Sequence, residues 1–143
     1  MDQGRRAVIE IVAALVRNER GHVLLVRKRG TESFMQPGGK REPGERDLDS
    51  LARELREELG CDAVPGTTRK LGVFEAPAAH EPGQWVRATI YAASLAGDIA
   101  CQAEIEEYTW VDPREPCDTP LAPLTRDTIL PLALSLEDDV QAL

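Results

Sequence analysis

The stretch that decides the fold is "GGKREPGERDLDSLARELREELG", residues Gly38–Gly60. Its second half carries apolar residues at the spacing of a helix: Leu48, Leu51, Ala52, Leu55 and Leu59. This period predicts a helix over Asp47–Leu59. We expect Asp47 to serve as the N-cap and Gly60 to end the helix, because these residue types favour those two positions.

The same helix gathers three glutamates, Glu54, Glu57 and Glu58, within about one turn. On a helical wheel they lie opposite the leucines, so we expect them to face a cleft or solvent. Like charges at this spacing cost an isolated helix roughly 0.2–0.5 kcal/mol per pair. The simplest interpretation is a solvated surface, on which Arg53 and Glu57 form an ordinary ion pair.

The loop before the helix, "PGGKREPGE", favours a second interpretation. Its glycines and prolines can turn the chain so that Glu45 and a backbone carbonyl approach the helical glutamates. Mg²⁺ and Mn²⁺ prefer such oxygen ligands. A bound divalent cation would offset the repulsion among the carboxylates.

The remaining patterns predict strands and one more helix. Residues 7–16 and "HVLLVRKR" are rich in strand-forming residues and are joined by the turn signal "NERG", while "FMQPGG" predicts a short extended piece. Further strands are predicted at "KLGVFEA", "WVRATIYAASLAG" and "EYTWV". A C-terminal helix is predicted at "LTRDTILPLALSL", with Thr125 as a candidate cap and Pro131 expected to kink or shorten it. Strands mixed with two helices indicate a layered α/β fold, and the length favours a single domain over residues 1–143.

Composition excludes several classes of protein. The chain has 25 acidic and 17 basic residues and a net charge of −8, which argues against binding to a nucleic acid polymer. No apolar run approaches the roughly 20 residues that span a membrane, so we expect a cytoplasmic protein without a membrane partner. The three cysteines are far apart and are expected to be buried, reduced thiols.

The motif from Gly39 to Cys61 resembles the Nudix box, G-x5-E-x7-R-E-U-x-E-E-x-G-U, in which U is aliphatic. Gly39 is followed at the required spacing by Glu45, and the run 53–60 supplies the Arg-Glu-Leu, Glu-Glu and Gly positions. Only the last position departs, because Cys61 replaces an aliphatic residue. The strands around the box also look Nudix-like, and the length is similar to that of MutT-type members.

This resemblance implies an α/β/α sandwich with a mixed β-sheet and hydrolysis of a nucleoside diphosphate linked to another moiety. It implies that Glu54, Glu57 and Glu58 bind Mg²⁺ or Mn²⁺, with the Gly39 carbonyl as an additional ligand. Arg53 would orient the glutamates through an ion pair with Glu45. The general base would be Glu54 or Glu57.

Later segments add weaker candidates. Related enzymes often take one more carboxylate from a later loop, for which this chain offers Glu104, Glu106 and Glu107; we take Glu104 and Glu107 as candidate metal ligands. A basic residue at the end of the second strand, Arg27 or Lys28, is a candidate contact for a substrate phosphate. Phe34 is a candidate for stacking on a nucleobase, against the alternative that it packs in the core.

The expected partner is a small-molecule nucleotide, and the oligomeric state, monomer or homodimer, stays open. We expect a (d)NTP substrate, including an oxidised one, cleaved to a nucleoside monophosphate and pyrophosphate. An ADP-ribose or nucleotide-sugar pyrophosphatase is one alternative, since Pro77 lies near the place where ADP-ribose-cleaving relatives tend to carry a proline. A non-catalytic nucleotide-binding module is another, and an RNA 5′-end hydrolase is disfavoured by the negative charge.

Overall fold

A computed structural model describes residues 7–115 and 117–141, with side chains to residue 136. The strands are β1 Ala7–Val16, β2 Val23–Lys28, β3 Gly38–Lys40, β4 Asp62–Ala63, β5 Arg69–Pro77, β6 Gln84–Ala93, β7 Leu95–Ala96 and β8 Ile105–Val111. The helices are α1 Asp47–Leu59 and α2 Leu130–Gln141, and a π-helical turn, Thr125–Ile129, precedes α2.

The central sheet has four strands in the order β3-β1-β6-β5 and is mixed. Strand β1 runs parallel to β6 over its whole length, from Ala7 opposite Gln84 to Val16 opposite Ala93. Strands β3 and β5 are antiparallel to their neighbours. The β2 strand pairs with β8 rather than forming a ladder with β1, and β4 pairs with β7.

The two faces of β1 build two separate cores. One face contributes Val12, Ala14 and Val16, which pack with the leucines of α1. The other face contributes Ala13 and Leu15, which pack with the α2 end of the chain. Because alternate residues of a strand point to opposite sides, β1 supports both layers. The result is an α/β/α sandwich, as predicted.

Helix α1 has the predicted bounds, and Gly60 ends it in the left-handed conformation with φ of 66°. The prediction that Asp47 is the N-cap was wrong, because Arg46 holds that position without a side-chain cap bond. The Asp47 carboxylate instead accepts hydrogen bonds from Arg41 and, at 3.3 Å, from the Tyr91 hydroxyl. Asp47 is thus the first residue of the helix, and its carboxylate binds these two side chains.

The C-terminal helical region begins with the widened π-helical turn, where the Leu130 N–H donates to the Thr125 carbonyl. Pro131 follows at once and has no N–H to donate, so the local change of helix type lies where the proline was expected to act. Thr125 is not a side-chain cap. Its buried hydroxyl accepts a 2.8 Å hydrogen bond from the Gln36 carboxamide.

Of the three cysteines, which are all free, only Cys61 is buried, so the expectation of buried thiols holds for that residue alone. The helices within residues 7–115 and 117–141 include none that is long and apolar enough to cross a membrane. A cytoplasmic location stays a prediction.

Candidate active site

Arg53 joins the glycine-rich loop to helix α1. Its guanidinium donates two 2.8 Å hydrogen bonds to the Glu45 carboxylate and one of 3.0 Å to the Lys40 carbonyl. It also donates to Glu54 at 2.9 Å and to Glu57 at 3.3 Å. The structure thus contains the Arg53–Glu45 ion pair that the family resemblance implies. One side chain fixes the loop to the acidic side of the helix.

The Glu45 carboxylate is the loop's anchor. It accepts a 2.7 Å hydrogen bond from the Glu42 N–H in addition to those from Arg53. The hydrogen bonds from Arg53, followed by that from Glu42, lower the pKa of Glu45 to about 2. Glu45 is therefore ionised throughout the neutral range and serves to hold Arg53 and the turn, as a structural residue.

Glu54 lies beside the Gly39 backbone and lines a cleft. Burial raises the pKa of Glu54, the neighbouring Glu57 charge adds to the increase, and Arg53 opposes it. A Cβ atom added to Gly39 would lie 2.7 Å from the Glu54 carboxylate. A side chain at this position would therefore displace the Glu54 carboxylate, which is the flexible end of its side chain.

Glu58 is the most buried of the three helical glutamates, with 3% of its surface exposed. Its carboxylate accepts a 3.0 Å hydrogen bond from the Gly38 N–H. Burial raises the pKa of Glu58 to about 8; the charges of Glu54 and Glu104 contribute to the rise, while the Gly38 bond and Lys28 oppose it. The residue lies under β3, between the core and the cleft.

The predicted division of the helix into an apolar and an acidic face was wrong at two positions. Glu58 is buried, whereas the Glu57 side chain is 51% exposed and lies outside the residues that line the cleft. Leu48, predicted on the apolar face, is 46% exposed. A helical wheel shows only the direction of each side chain around the helix axis. Which of these side chains are buried depends on the position of β3, which lies over the second half of α1.

The cleft has a volume of about 580 Å³, within the range of roughly 300–1,000 Å³ usual for small-molecule sites. Its lining combines β1, the loop before α1, the β5–β6 connection and the segment before the π-helical turn. Sequence reasoning missed several of its lining residues, among them Gln36, Arg41 and the segment 78–81. Gln36 is 6% exposed and anchored to Thr125, yet it borders the cleft. The sequence signal that could have indicated Gln36 is its position as a polar residue directly before the "PGG" turn.

Lys28 is the predicted phosphate contact that reaches the cleft. Arg27 does not line the cleft, because it donates to Glu107 at 2.6 Å and to the Thr31 carbonyl at 2.7 Å. A bulge in the β2–β8 ladder between Arg27 and Lys28 accompanies this separation. Phe34, predicted to stack on a base, is 8% exposed in the core beside α2, so the alternative of core packing is the correct one.

The three later glutamates differ in whether they reach the cleft. Glu104 lines the cleft with its carboxylate 3.4 Å from the Lys28 ammonium. Glu107 is held by Arg27, and Glu106 pairs with Arg29 at 3.3 Å, so neither lines the cleft. The candidate role of Glu107 as a metal ligand does not fit this arrangement, because Arg27 binds its carboxylate and neither residue lines the cleft.

The donor set around Gly39 fits a hard divalent cation in its chemistry. Glu54, Glu58 and Glu104 supply only oxygen atoms, and Glu54 and Glu104 both raise the pKa of Glu58, as expected for carboxylates that repel one another. As they stand, the described residues contain no group of three His, Cys, Asp or Glu side chains close enough to hold an ion. Arg53 and Lys28 balance the carboxylate charge instead.

Comparison with known proteins identifies the family of the chain. A model of the NUDIX domain matches residues 9–132. The CTP pyrophosphohydrolase of Escherichia coli is 33% identical over 124 residues, which cover 81% of this chain and 84% of that protein. The crystal structure of the MutT protein from Methanosarcina mazei Go1 superposes with a TM-score of 0.72 at 26% identity, covering 93% of this chain and 97% of the other.

A further relative is the 8-oxo-dGTP diphosphatase of Haemophilus influenzae, 34% identical over 76 residues. That match covers 50% of this chain and 56% of the relative, so the chain spans about half of that protein's length. Fold and site together define an α/β/α sandwich with an acidic helix bound to a glycine loop at a cleft. The chain belongs to the Nudix family.

Proposed function

We propose that this Nudix hydrolase is a divalent-metal-dependent pyrophosphohydrolase that cleaves a (d)NTP, including an oxidised one, to a nucleoside monophosphate and pyrophosphate. The observation that carries the proposal is the approach of the Glu54 carboxylate to Gly39 at the edge of the cleft. The family membership and the activities for which the relatives are named support the reaction class.

The charges around the cleft suit a triphosphate that arrives with its cation. The lining includes the bases Lys28, Lys40, Arg41 and Arg53 and the acids Glu42, Glu54, Glu81 and Glu104. The basic side chains can contact phosphate oxygens while the acidic side chains hold a cation. The apolar part of the lining, with Ile9, Ile11 and Leu124, offers a surface for a nucleobase.

The residues that would hold Mg²⁺ or Mn²⁺ are Glu54, Glu57, Glu58 and Glu104, together with the Gly39 carbonyl. Glu57 and Glu58 are on the same helix as Glu54 but are not among the residues that line the cleft. When bound, the cation would neutralise charge on the phosphates and lower the pKa of a water molecule. Arg53 would keep Glu54 pointed at the cleft, because it donates to that carboxylate and to the loop anchor Glu45 at once.

Glu54 is our candidate general base. Of the two residues that the resemblance allowed, Glu54 lines the cleft and Glu57 does not. The raised pKa of Glu54 also moves it towards neutral pH, where a base accepts a proton most effectively. Glu57 then assists through Arg53, with which it pairs at 3.3 Å.

Gln36 supports recognition of a nucleobase. Its carboxamide nitrogen donates to the Thr125 hydroxyl, and no hydrogen bond of the carboxamide oxygen is found within the described residues. That oxygen is not among the buried, unsatisfied atoms, so it retains some contact with the cleft that Gln36 lines. An anchored amide can hydrogen-bond the polar edge of a base with little loss of side-chain freedom.

The test is a screen of NTPs, dNTPs, 8-oxo-dGTP, ADP-ribose and a nucleotide sugar with Mg²⁺, followed by identification of the products. We expect a nucleoside monophosphate and pyrophosphate from a triphosphate, with the highest kcat/KM in that class. A higher kcat/KM for ADP-ribose would favour the alternative substrate, for which Pro77 at the cleft is the supporting observation.

The alternative of a non-catalytic binding module has its own signature. A module would bind a nucleotide in the presence of Mg²⁺ but release no product over a long incubation. Complete retention of the box glutamates argues against it, because a protein that only binds a nucleotide has no need for a candidate base beside the cleft.

A further inference from the structure

A second concave site lies at the other end of the central sheet. It has a volume of about 820 Å³ and is formed where β1 ends, β5 begins and β6 ends. Its lining shares no residue with the catalytic cleft. Ile11 borders the cleft and Arg17 borders the second site, and these two residues, six positions apart, are separated by roughly 20 Å along an extended strand.

Three arginines, Arg17, Arg20 and Arg69, line this site, which we call the arginine pocket. They come from different parts of the fold: Arg17 follows β1, Arg20 lies in the β1–β2 turn, and Arg69 starts β5. Arg69 pairs with Ala92 and Val16 pairs with Ala93, so these chain segments meet at one end of the sheet. One acidic residue, Glu19, borders the same pocket.

These arginines differ from most others in the protein. Within residues 7–115 and 117–141, the arginines that pair with a carboxylate are Arg27, Arg29, Arg41, Arg53, Arg56, Arg87, Arg114 and Arg126. Arg17, Arg20 and Arg69 have no ion pair and no side-chain hydrogen bond in that part of the chain. In a chain of net charge −8, acids are abundant, so the lack of partners at three arginines in one pocket is notable.

The pocket also offers neutral donors. Thr68 and Ser94, which carry hydroxyl groups, line it together with the glycines of two turns, Gly21 and Gly66. Guanidinium groups bind phosphate oxygens in a planar, two-point geometry. Three of them with hydroxyl groups nearby would match a ligand that carries several phosphate oxygens along a short chain.

We propose that the arginine pocket binds a short phosphate chain, either inorganic or as part of a nucleotide, at a site separate from the catalytic cleft. Binding needs no divalent cation, because the arginines supply the positive charge. The attraction between a phosphate chain and the three guanidinium groups is weakened by solvent at this exposed location but not removed.

The experiment is a ¹H–¹⁵N NMR titration of the full chain in EDTA with inorganic tripolyphosphate, pyrophosphate or GTP as separate arms. Without a metal ion, turnover does not consume GTP, and the result does not depend on the proposed hydrolase activity. We expect shifts at the amides of Gly21, Gly66 and Ser94 that saturate, and the strongest binding for tripolyphosphate. Equal binding of GTP would show that the triphosphate of a nucleotide is also accepted.

Matched charge changes test the assignment. Arg69→Gln and Arg17→Gln should each weaken binding roughly tenfold, the effect typical of losing one charge-assisted hydrogen bond. Lys70→Gln is the control, because Lys70 is exposed, follows Arg69 directly and does not line the pocket. It should leave the affinity within about twofold, which allows for long-range electrostatics screened by salt.

Two outcomes would overturn the proposal. In the first, the shifts are confined to the catalytic cleft, at Gly38, Gly39 and Lys40. In the second, Lys70→Gln weakens binding as much as Arg69→Gln, which would indicate attraction by general charge rather than a pocket. The dispersion of the NMR spectrum shows in the same measurement that each variant is folded.

Discussion

The two sides of helix α1 carry residues of different chemistry into different surroundings. On the inner side, Leu51, Leu55 and Leu59 are at most 1% exposed, and Glu58 joins them at 3%. On the cleft side, Arg53, Glu54 and Glu57 form a connected network that reaches Glu45 in the loop. One side holds the helix on the sheet, and the other positions charged groups.

The adjacent residues Glu57 and Glu58 show most sharply what this difference teaches. Both belong to the same motif, yet one is half exposed and paired with Arg53 while the other is buried and bonded to the Gly38 N–H. A motif fixes which residue types are present. The surrounding strands decide which of them reacts, which binds and which supports the fold.

The largest expected effect is on the cleft side. Glu54→Gln keeps the size of the side chain but removes a carboxylate that lines the cleft, so the rate should fall on the order of 10²–10⁴. Stability without metal should be unchanged or slightly higher, because repulsion with Glu57 and Glu58 decreases. Asp49→Asn, an exposed acid of the same helix, is the control and should keep the parental kcat.

The next largest effect is on the inner side. Leu55→Ala removes a side chain with 0% exposure and should cost roughly 2–5 kcal/mol of unfolding free energy. Leu48→Ala, the same change at a position 46% exposed, should stay within about 0.5 kcal/mol. Urea denaturation of both variants measures the difference. Equal losses would show that the inner side is not the buried one.

Gly39→Ala links the two sides through the loop. The added methyl group would lie 2.7 Å from the Glu54 carboxylate, which must move because it is the flexible end of a side chain. A displacement of this kind can cost on the order of 10² in rate, while the melting temperature should change little. If Gly39→Ala turned over at the parental rate, the approach of Glu54 to this loop would not matter for chemistry.

The last expected effect is a pH dependence from Glu58. Its pKa is raised from 4.5 to about 8 in the folded protein, so the folded state holds this proton more strongly than the unfolded chain. The resulting stability is fully present below about pH 4.5 and is lost as the pH rises through about 8. Denaturation in EDTA should therefore show a free energy of unfolding that declines as the pH rises through this range. The decline should be shallower in Glu58→Gln. An unchanged slope in the variant would assign the decline to other groups.

Much of this arrangement could be predicted from local sequence. The bounds of α1 and its end at Gly60 follow from a period and a stop signal that lie within one segment. The Arg53–Glu45 pair follows from the resemblance to a family motif. The division of β1 into two core faces follows from alternation once a sandwich is assumed.

The errors have a common physical origin in contacts between distant segments. Asp47 is not the N-cap because Arg41 and Tyr91 engage its carboxylate. Glu58 is buried because β3 covers it, and Phe34 packs in the core beside the α2 end of the chain. Gln36 borders the cleft because Thr125, far along the chain, anchors it. A linear pattern contains none of these tertiary partners.

The central claim is that the carboxylates beside Gly39 hold a divalent cation. The most direct measurement is a titration with Mn²⁺ followed by electron paramagnetic resonance, which counts the free ion, for the parent, Glu54→Gln and Asp49→Asn. We predict saturable binding in the parent and Asp49→Asn, and affinity at least about tenfold weaker in Glu54→Gln, since a charged ligand is lost. Equal affinity in all three proteins, or no binding in the parent, would contradict the claim.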